Sequence, residues 1–359
     1  MKEIISKDKN IGIIAIIFTF YALFHHVFQI VFSAALFTTE DSHLFIKIFI
    51  LYFNFFEFSF FGGINFLNFQ FSNSSIQVCY LNYLFYALMI TGSLFYIMSN
   101  YKETKLLLFV FSLIFFKLFI GIIFSLNFFI NISTYTLGQV FLHLVTLLFK
   151  VLIVIITYGI LKELITKKEL NIIQENESQY WIPASKYNRI IHLVIDLFFC
   201  FLIFYPIAYS LINIEYFKAI IINLSDNQQK LILYFLVIIF RFIYYFTFES
   251  IFGITPAKIL TNTVVASNDG IKAKTKNIFK RTITRFVPFE SISFITYGWH
   301  DTWSETNVFQ LKPNKFSGLF YFLLFLIIAI CVYYIMYYIE NNAYTNLENY
   351  QKLIFSPFA

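Results

Sequence analysis

The chain is 359 residues long with 26 Lys and Arg against 20 Asp and Glu, so charged side chains make up 13% of it, about half the roughly 25% of a soluble domain. Hydrophobic residues reach 59% and mean hydropathy is +0.73, which leaves too little polar surface to cover a water-soluble enzyme with one core. The formal charge of +6 lies in short basic stretches between apolar runs rather than in one patch, which argues against a nucleic-acid binder and fits the positive-inside rule.

In chain order, Met1 to Asn10 is polar and carries Lys2, Lys7 and Lys9, and an apolar run follows from Ile11 to Phe32. That run exceeds the roughly 7–15 residues of a signal-peptide core and predicts an uncleaved first span, with cleavage at Ser33-Ala34-Ala35 as the alternative. Residues 44–61 are apolar but contain Lys47, Asn54 and Glu57. They read as interfacial or re-entrant; as a span they would move Lys2, Lys7 and Lys9 to the other side. Six further runs, 78–99, 106–125, 138–161, 190–213, 230–250 and 317–339, are each long enough to cross a hydrocarbon core of about 30 Å as a helix. They lack the strict alternation of a barrel.

With the N-terminus cytoplasmic, nineteen Lys and Arg fall on inside connections and four outside, the other three lying within spans. The expected fold is therefore all-α and multi-pass with about seven spans. Residues 1–165 form a membrane region with four spans, 166–188 a polar cytoplasmic linker, 189–310 a second membrane domain, and 311–359 a last span and tail. The cysteines Cys79, Cys200 and Cys331 each lie in or beside an apolar run and offer neither a disulfide framework nor a CxxC metal pair.

Charges inside spans are the first place to look for function, because each is costly in lipid without a partner or a wet cavity. The fifth span opens with Arg189 and carries His192 and Asp196, offsets that share one helical face; the sixth carries Arg241 and ends near Glu249. Asp196 lies about 10 Å and Arg241 about 12 Å from the cytoplasmic end. The spacing thus predicts crosswise pairs at matched depth, Arg189 with Glu249 and Asp196 with Arg241. Two readings stand: an ionic seam that fixes helix register, or a polar path in which Asp196 responds to a proton or cation. His25, His26 and His143 lack an acidic or Cys neighbour at metal spacing, and Lys117 and Lys150 face a cavity or snorkel.

Between the sixth and seventh spans, residues 261–267 and Ile271 to Thr275 read as a small hairpin around Asn268-Asp269-Gly270. A basic helix then carries Lys276, Lys280, Arg281 and Arg285 largely on one face, suited to anionic headgroups.

These motifs resemble the RDD family of membrane proteins, named for one arginine and two aspartates. Arg189 and Asp196 match the first two letters. The stretch ESIFGITPAK, with Glu249, Gly253, Thr255, Pro256 and Lys258, is similar to the family's Glu and Gly-x-Thr-Pro-Gly-Lys, Ala257 replacing its second glycine. Asp269-Gly270 and the run KRTITR, with Arg281 and Arg285, also fit. WHDTWSETNV, with Trp299, His300, Asp301, Ser304 and Thr306, resembles the family's closing His-Asp motif and favours Asp301 over Asp269 as the second aspartate. The resemblance covers about 181–310; the short stretch Phe286 to Gly298 reads as an interfacial turn rather than the full span expected there.

The resemblance implies a role in transport, with cation/proton antiport proposed for some members. Transport of an ion or small solute is therefore the first expected function, and a non-catalytic scaffold for partner proteins or anionic lipids the second. An enzyme is not expected: HExxH, GxSxG, P-loop and GxGxxG patterns are absent, and a His300-Asp301 dipeptide has neither nucleophile nor metal set beside it. Cofactor and nucleic acid are likewise not expected. The expected partners are the bilayer and its anionic headgroups, and a homo-oligomer is compatible with the sequence.

Overall fold

The computed structural model describes residues 2–36, 53, 55, 56, 68–70, 77–125, 136–175, 182–212, 224–269, 271–287, 293, 298–310 and, in part, 320–334. The first half contributes α1 (Lys2–Leu36), a two-stranded antiparallel ribbon of β1 (Asn68–Gln70) and β2 (Gln77–Cys79), then α2 (Tyr80–Met98), α3 (Lys105–Ser125) and α4 (Leu137–Glu175). The second half contributes β3 (Ile182–Pro183), α5 (Lys186–Ile212), α6 (Asp226–Phe252), α7 (Pro256–Thr261), β4 (Thr263–Ser267), α8 (Thr275–Thr284), α9 (Trp299–Ser304) and β5 (Thr306–Gln310).

Four described helices have windows long and apolar enough to cross a membrane, 8–25, 105–123, 137–165 and 227–252; the apolar helix 83–98 is shorter. Such runs form helices because in lipid every backbone N–H and C=O must be satisfied within the segment. Of the seven expected spans, the seventh, the 44–61 segment and the 286–298 turn lie largely outside the described residues. In α3 78% of the apolar window is buried, against 17% in α4, so α3 is the central helix while α4 turns Phe141, Leu148 and Ile155 outward. The polar linker begins inside α4, which runs on to Glu175.

Helix α3 backs the second half. Phe116 meets the ring of Tyr244 edge-on at 5.3 Å and that of Phe248 at 5.1 Å, and Phe109 meets Phe199 at 5.1 Å. Helices α5 and α6 pack together. They run antiparallel, since His192 faces Thr263, beyond the end of α6, while Asp196, further along α5, faces Tyr244 within it.

The small sheet corrects the expected hairpin. Strand β4 pairs antiparallel with β5, Val265 opposite Val308, and β5 also pairs with β3, giving the order β3-β5-β4. The 271–275 segment reaches β4 only through the single bridge Ala266–Lys272, and Thr275 already opens α8. Thr263–Ser267 buries most of its length, so it takes as partner the equally buried β5 rather than the exposed turn beside it. Pro183, without an N–H to give, occupies the edge strand β3.

The basic helix is also corrected. Lys276 and Lys280 are exposed on α8, but Arg281 is fully buried and Arg285 nearly so. The charge is split between two faces because buried carboxylates on α6 and α9 draw the two arginines inward.

Candidate functional site

Helix α6 ends where Gly253, at φ +70°, returns its N–H to the Glu249 carbonyl, a left-handed cap that glycine adopts without strain. Two residues on, Thr255 caps α7, its hydroxyl accepting from Lys258 N at 3.4 Å, and Pro256 occupies the first turn where no N–H is required. This sharp restart turns Lys258 back toward α6, where its ammonium donates to Glu249 Oε1.

Glu249 is 1% exposed and gathers three cations. Besides Lys258, Arg285 Nη2 donates to it at 2.8 Å, and Arg281 Nε stands 3.3 Å from Oε2. Asp301, at the start of α9, gathers two: Arg189 donates to Oδ2 and Arg281 Nη1 to Oδ1, with His300 Nε2 at 3.4 Å. Arg281 thus bridges both carboxylates, and Arg189 Nη2 is braced by Asn307 Oδ1 at 2.8 Å. Thr306 Oγ1 accepts from Arg281 at 2.8 Å and lies 2.6 Å from Ser304 Oγ, so β5 and α9 hold the guanidinium in place. Gly298 permits the approach of α9: a Cβ there would stand 3.1 Å from Asp301 Oδ2, at a backbone φ of +60°.

Asp196, 1% exposed, is held by neutral donors. Tyr244 OH reaches Oδ1 at 2.8 Å, Thr255 Oγ1 reaches Oδ2 at 2.7 Å, and the Ala257 N–H reaches Oδ1 at 3.2 Å. His192 Nε2 meets the hydroxyls of Thr261 and Thr263, the latter at 3.0 Å. Arg241 lies over the rings of Tyr245 and Phe286, 5.7 and 5.5 Å from their centroids.

The expected crosswise seam therefore does not form. Arg189 pairs with Asp301, Glu249 with Lys258, Arg281 and Arg285, and neither Asp196 nor Arg241 makes an ion pair with the other. Matching depth on two helices omitted the charges that α7, α8 and α9 bring from the connecting segment. What those helices do share is a cavity of about 70 Å³ lined by Arg189, His192, Asp196, Arg241, Lys258, Arg281, Arg285 and His300, with Leu193, Tyr245 and Val308.

Asp269 is exposed on its turn, Gly270 lies outside the described residues, and Trp299 stacks on Trp303 at 6.2 Å, away from the cavity. His25 is buried beside Tyr21, and the His26 side chain is outside the described residues. His143 and Lys150 both reach Ser125, at 3.3 and 3.1 Å, joining α3 to α4, and Lys117 is buried in α3.

Sequence reasoning missed Tyr244, Tyr245, Thr261, Thr263 and Asn307. Offset from Glu249 could have pointed to Tyr245 on the same helical face; among 25 tyrosines it did not stand out.

Lys258 and Asp301 lie beyond the spans. Burial pulls the Lys258 ammonium down to about 8 despite Glu249 beside it. Burial pushes the Asp301 carboxyl up, but Arg281, His300 and Arg189 outweigh it and hold it well below the usual carboxylate range. Among the described residues no group of three His, Cys, Asp or Glu could hold a metal ion.

No curated protein and no solved structure matches the chain. Residues 183–335, the stretch that builds every wall of this cavity, match the model of the RDD family, a family of membrane proteins.

Proposed function

We propose that the protein transports an ion or small charged solute across a membrane, with the cavity between α5, α6 and the α7–α9 segment as its binding centre. The observation that carries this reading is Asp196. It is an ionisable group buried in an apolar helix, hydrogen-bonded only by neutral donors, on the wall of a cavity that also holds Arg241. Ionisable groups so placed in membrane helices mark ion or proton pathways. The cation/proton exchange implied for some family members would run through Asp196, because Glu249 and Asp301 are each already ion-paired with two or more basic side chains.

The orientation that goes with it has the N-terminus, the 162–189 linker and the 251–315 segment in the cytoplasm, and the C-terminus outside. Nineteen basic residues against four support it. The outward Lys276 and Lys280 then face anionic headgroups. No catalytic role is proposed for His300-Asp301, since Asp301 is committed to Arg189 and Arg281.

The second reading, a scaffold, draws on those saturated ion pairs, which fix register whether or not anything moves. Purified protein in liposomes, assayed for cation-dependent proton flux and for uptake of small charged solutes, separates the two. Asp196→Asn, nearly isosteric, should abolish flux while the protein stays inserted and folded. Full flux in Asp196→Asn would make this residue structural, and no flux in wild type would favour the scaffold.

A further inference from the structure

We infer that the cavity is an oxyanion site, which binds a small phosphate-type group. Its walls carry five basic side chains, Arg189, Arg241, Lys258, Arg281 and Arg285, and a single carboxylate, Asp196. The other two carboxylates stand behind the basic groups and orient them without lining the space. Asp196, with neutral donors on both oxygens, is one carboxylate against five cations and cannot balance the charge of the wall.

Two guanidiniums have N–H groups to spare. Arg281 commits Nη1 to Asp301 and Thr306 and turns Nε toward Glu249, while among the described residues its buried Nη2 has no hydrogen-bond partner. Arg241 lies over two aromatic faces, and among the described residues its buried Nε is also without a hydrogen-bond partner. A buried donor left unmade is costly, more so on a charged group. An oxyanion between Arg241 and Arg281 would accept from both, in the geometry for which guanidinium suits phosphate. The volume fits: about 70 Å³ is several times the roughly 10–15 Å³ needed for one water. The second-row braces from Asn307, Thr306 and Ser304 fix the arginines in advance, as a preformed site requires.

The site is the one assigned above to transport, but the inference concerns binding alone, so each can fail without the other. The group could be free phosphate or the headgroup of an anionic lipid. Full-length protein in phosphatidylcholine nanodiscs should show a saturable rise in thermal midpoint with inorganic phosphate against chloride at matched ionic strength. If the natural source is a lipid, nanodiscs containing phosphatidic acid should give the same rise without added phosphate. Arg241→Gln, which removes no ion pair, should keep the anion-free midpoint and weaken the response at least tenfold. Leu193→Trp, which fills the cavity without removing a charged side chain, should abolish it and stands in should Arg241→Gln fail to fold. No saturable response to phosphate or phosphatidic acid, or an undiminished response in Leu193→Trp, would overturn the inference. Phosphate binding without any flux would leave it standing and remove transport; flux with no phosphate response would do the reverse.

Discussion

Replacing Asp301 by Asn tests the network at its narrowest point. The carboxylate takes Arg189 on one oxygen and Arg281 on the other, with side chains 15% and 0% exposed. The amide keeps the shape and one acceptor, but leaves two guanidiniums without their shared counter-charge. Arg281 retains Glu249 at 3.3 Å, and Arg189 retains Asn307 at 2.8 Å, so the loss is that of one broken buried pair rather than two, about 3–5 kcal/mol. Against a total stability of roughly 5–15 kcal/mol, denaturant titration in detergent would register this as a large fall in midpoint. The ion pairs hold the Asp301 carboxyl below its ordinary range; its stabilisation is therefore complete above about pH 4 and lost only on further acidification. The carboxyl's own titration should accordingly add nothing to the penalty for Asn between pH 7 and pH 5, and any difference reports His300, 3.4 Å away. Adding Arg189→Gln should cost less in the Asn background than in wild type, because the charge it removes is already uncompensated. A penalty under about 0.5 kcal/mol for Asp301→Asn, a size typical of surface substitutions, would refute the view that Asp301 anchors the site.

Thr255→Val removes both the cap of α7 and one donor to Asp196, and should cost about 1–3 kcal/mol in the same titration. Gly298→Ala places a Cβ 3.1 Å from Asp301 Oδ2 at a φ of +60°; a loss of about 1–3 kcal/mol is expected, while Gly159→Ala, where a Cβ would meet nothing within 4 Å, should not destabilise. Lys258, at about 8, faces Glu249, Asp196, His192, Arg281 and Arg285. The cost of burying its charge is present below about pH 8 and relieved as pH rises toward the unfolded value near 10.4, so sulfate affinity should fall between pH 7 and pH 9. Lys258→Met should flatten that slope in a calorimetric titration.

The helices were legible because apolar runs of spanning length between polar connections leave few other structures open to the backbone. Arg189, Asp196 and Glu249 were legible for a similar reason, since charge in an apolar run demands an explanation. Their partners were not. Glu249 meets Arg281 and Arg285 across 32 and 36 positions, Asp301 meets Arg189 across 112, and nothing in local spacing encodes such closures. The same holds for β4, whose Val and Thr content marks a strand but leaves the choice between a neighbouring turn and β5 to burial. The amphipathic reading of α8 went astray because a charged periodic face has the same pattern whether it meets water or buried carboxylates. The family motif carried information that periodicity lacked: Thr255, Pro256 and Lys258 sit together in sequence because one cap, one helix start and one ion pair are built from adjacent residues.

A binding centre must be a place that a small solute reaches rather than a sealed ionic lock. Leu193 lines it without taking part in any ion pair, so Leu193→Cys, in a variant with Cys79, Cys200 and Cys331 replaced by Ala, reports access directly. In sealed vesicles a small membrane-impermeant thiol reagent should modify this cysteine from the cytoplasmic side, and inorganic phosphate should slow the reaction. A cysteine that reacts from neither side, while one placed at exposed Lys276 reacts fully, would contradict the account and leave the charged centre a purely structural one.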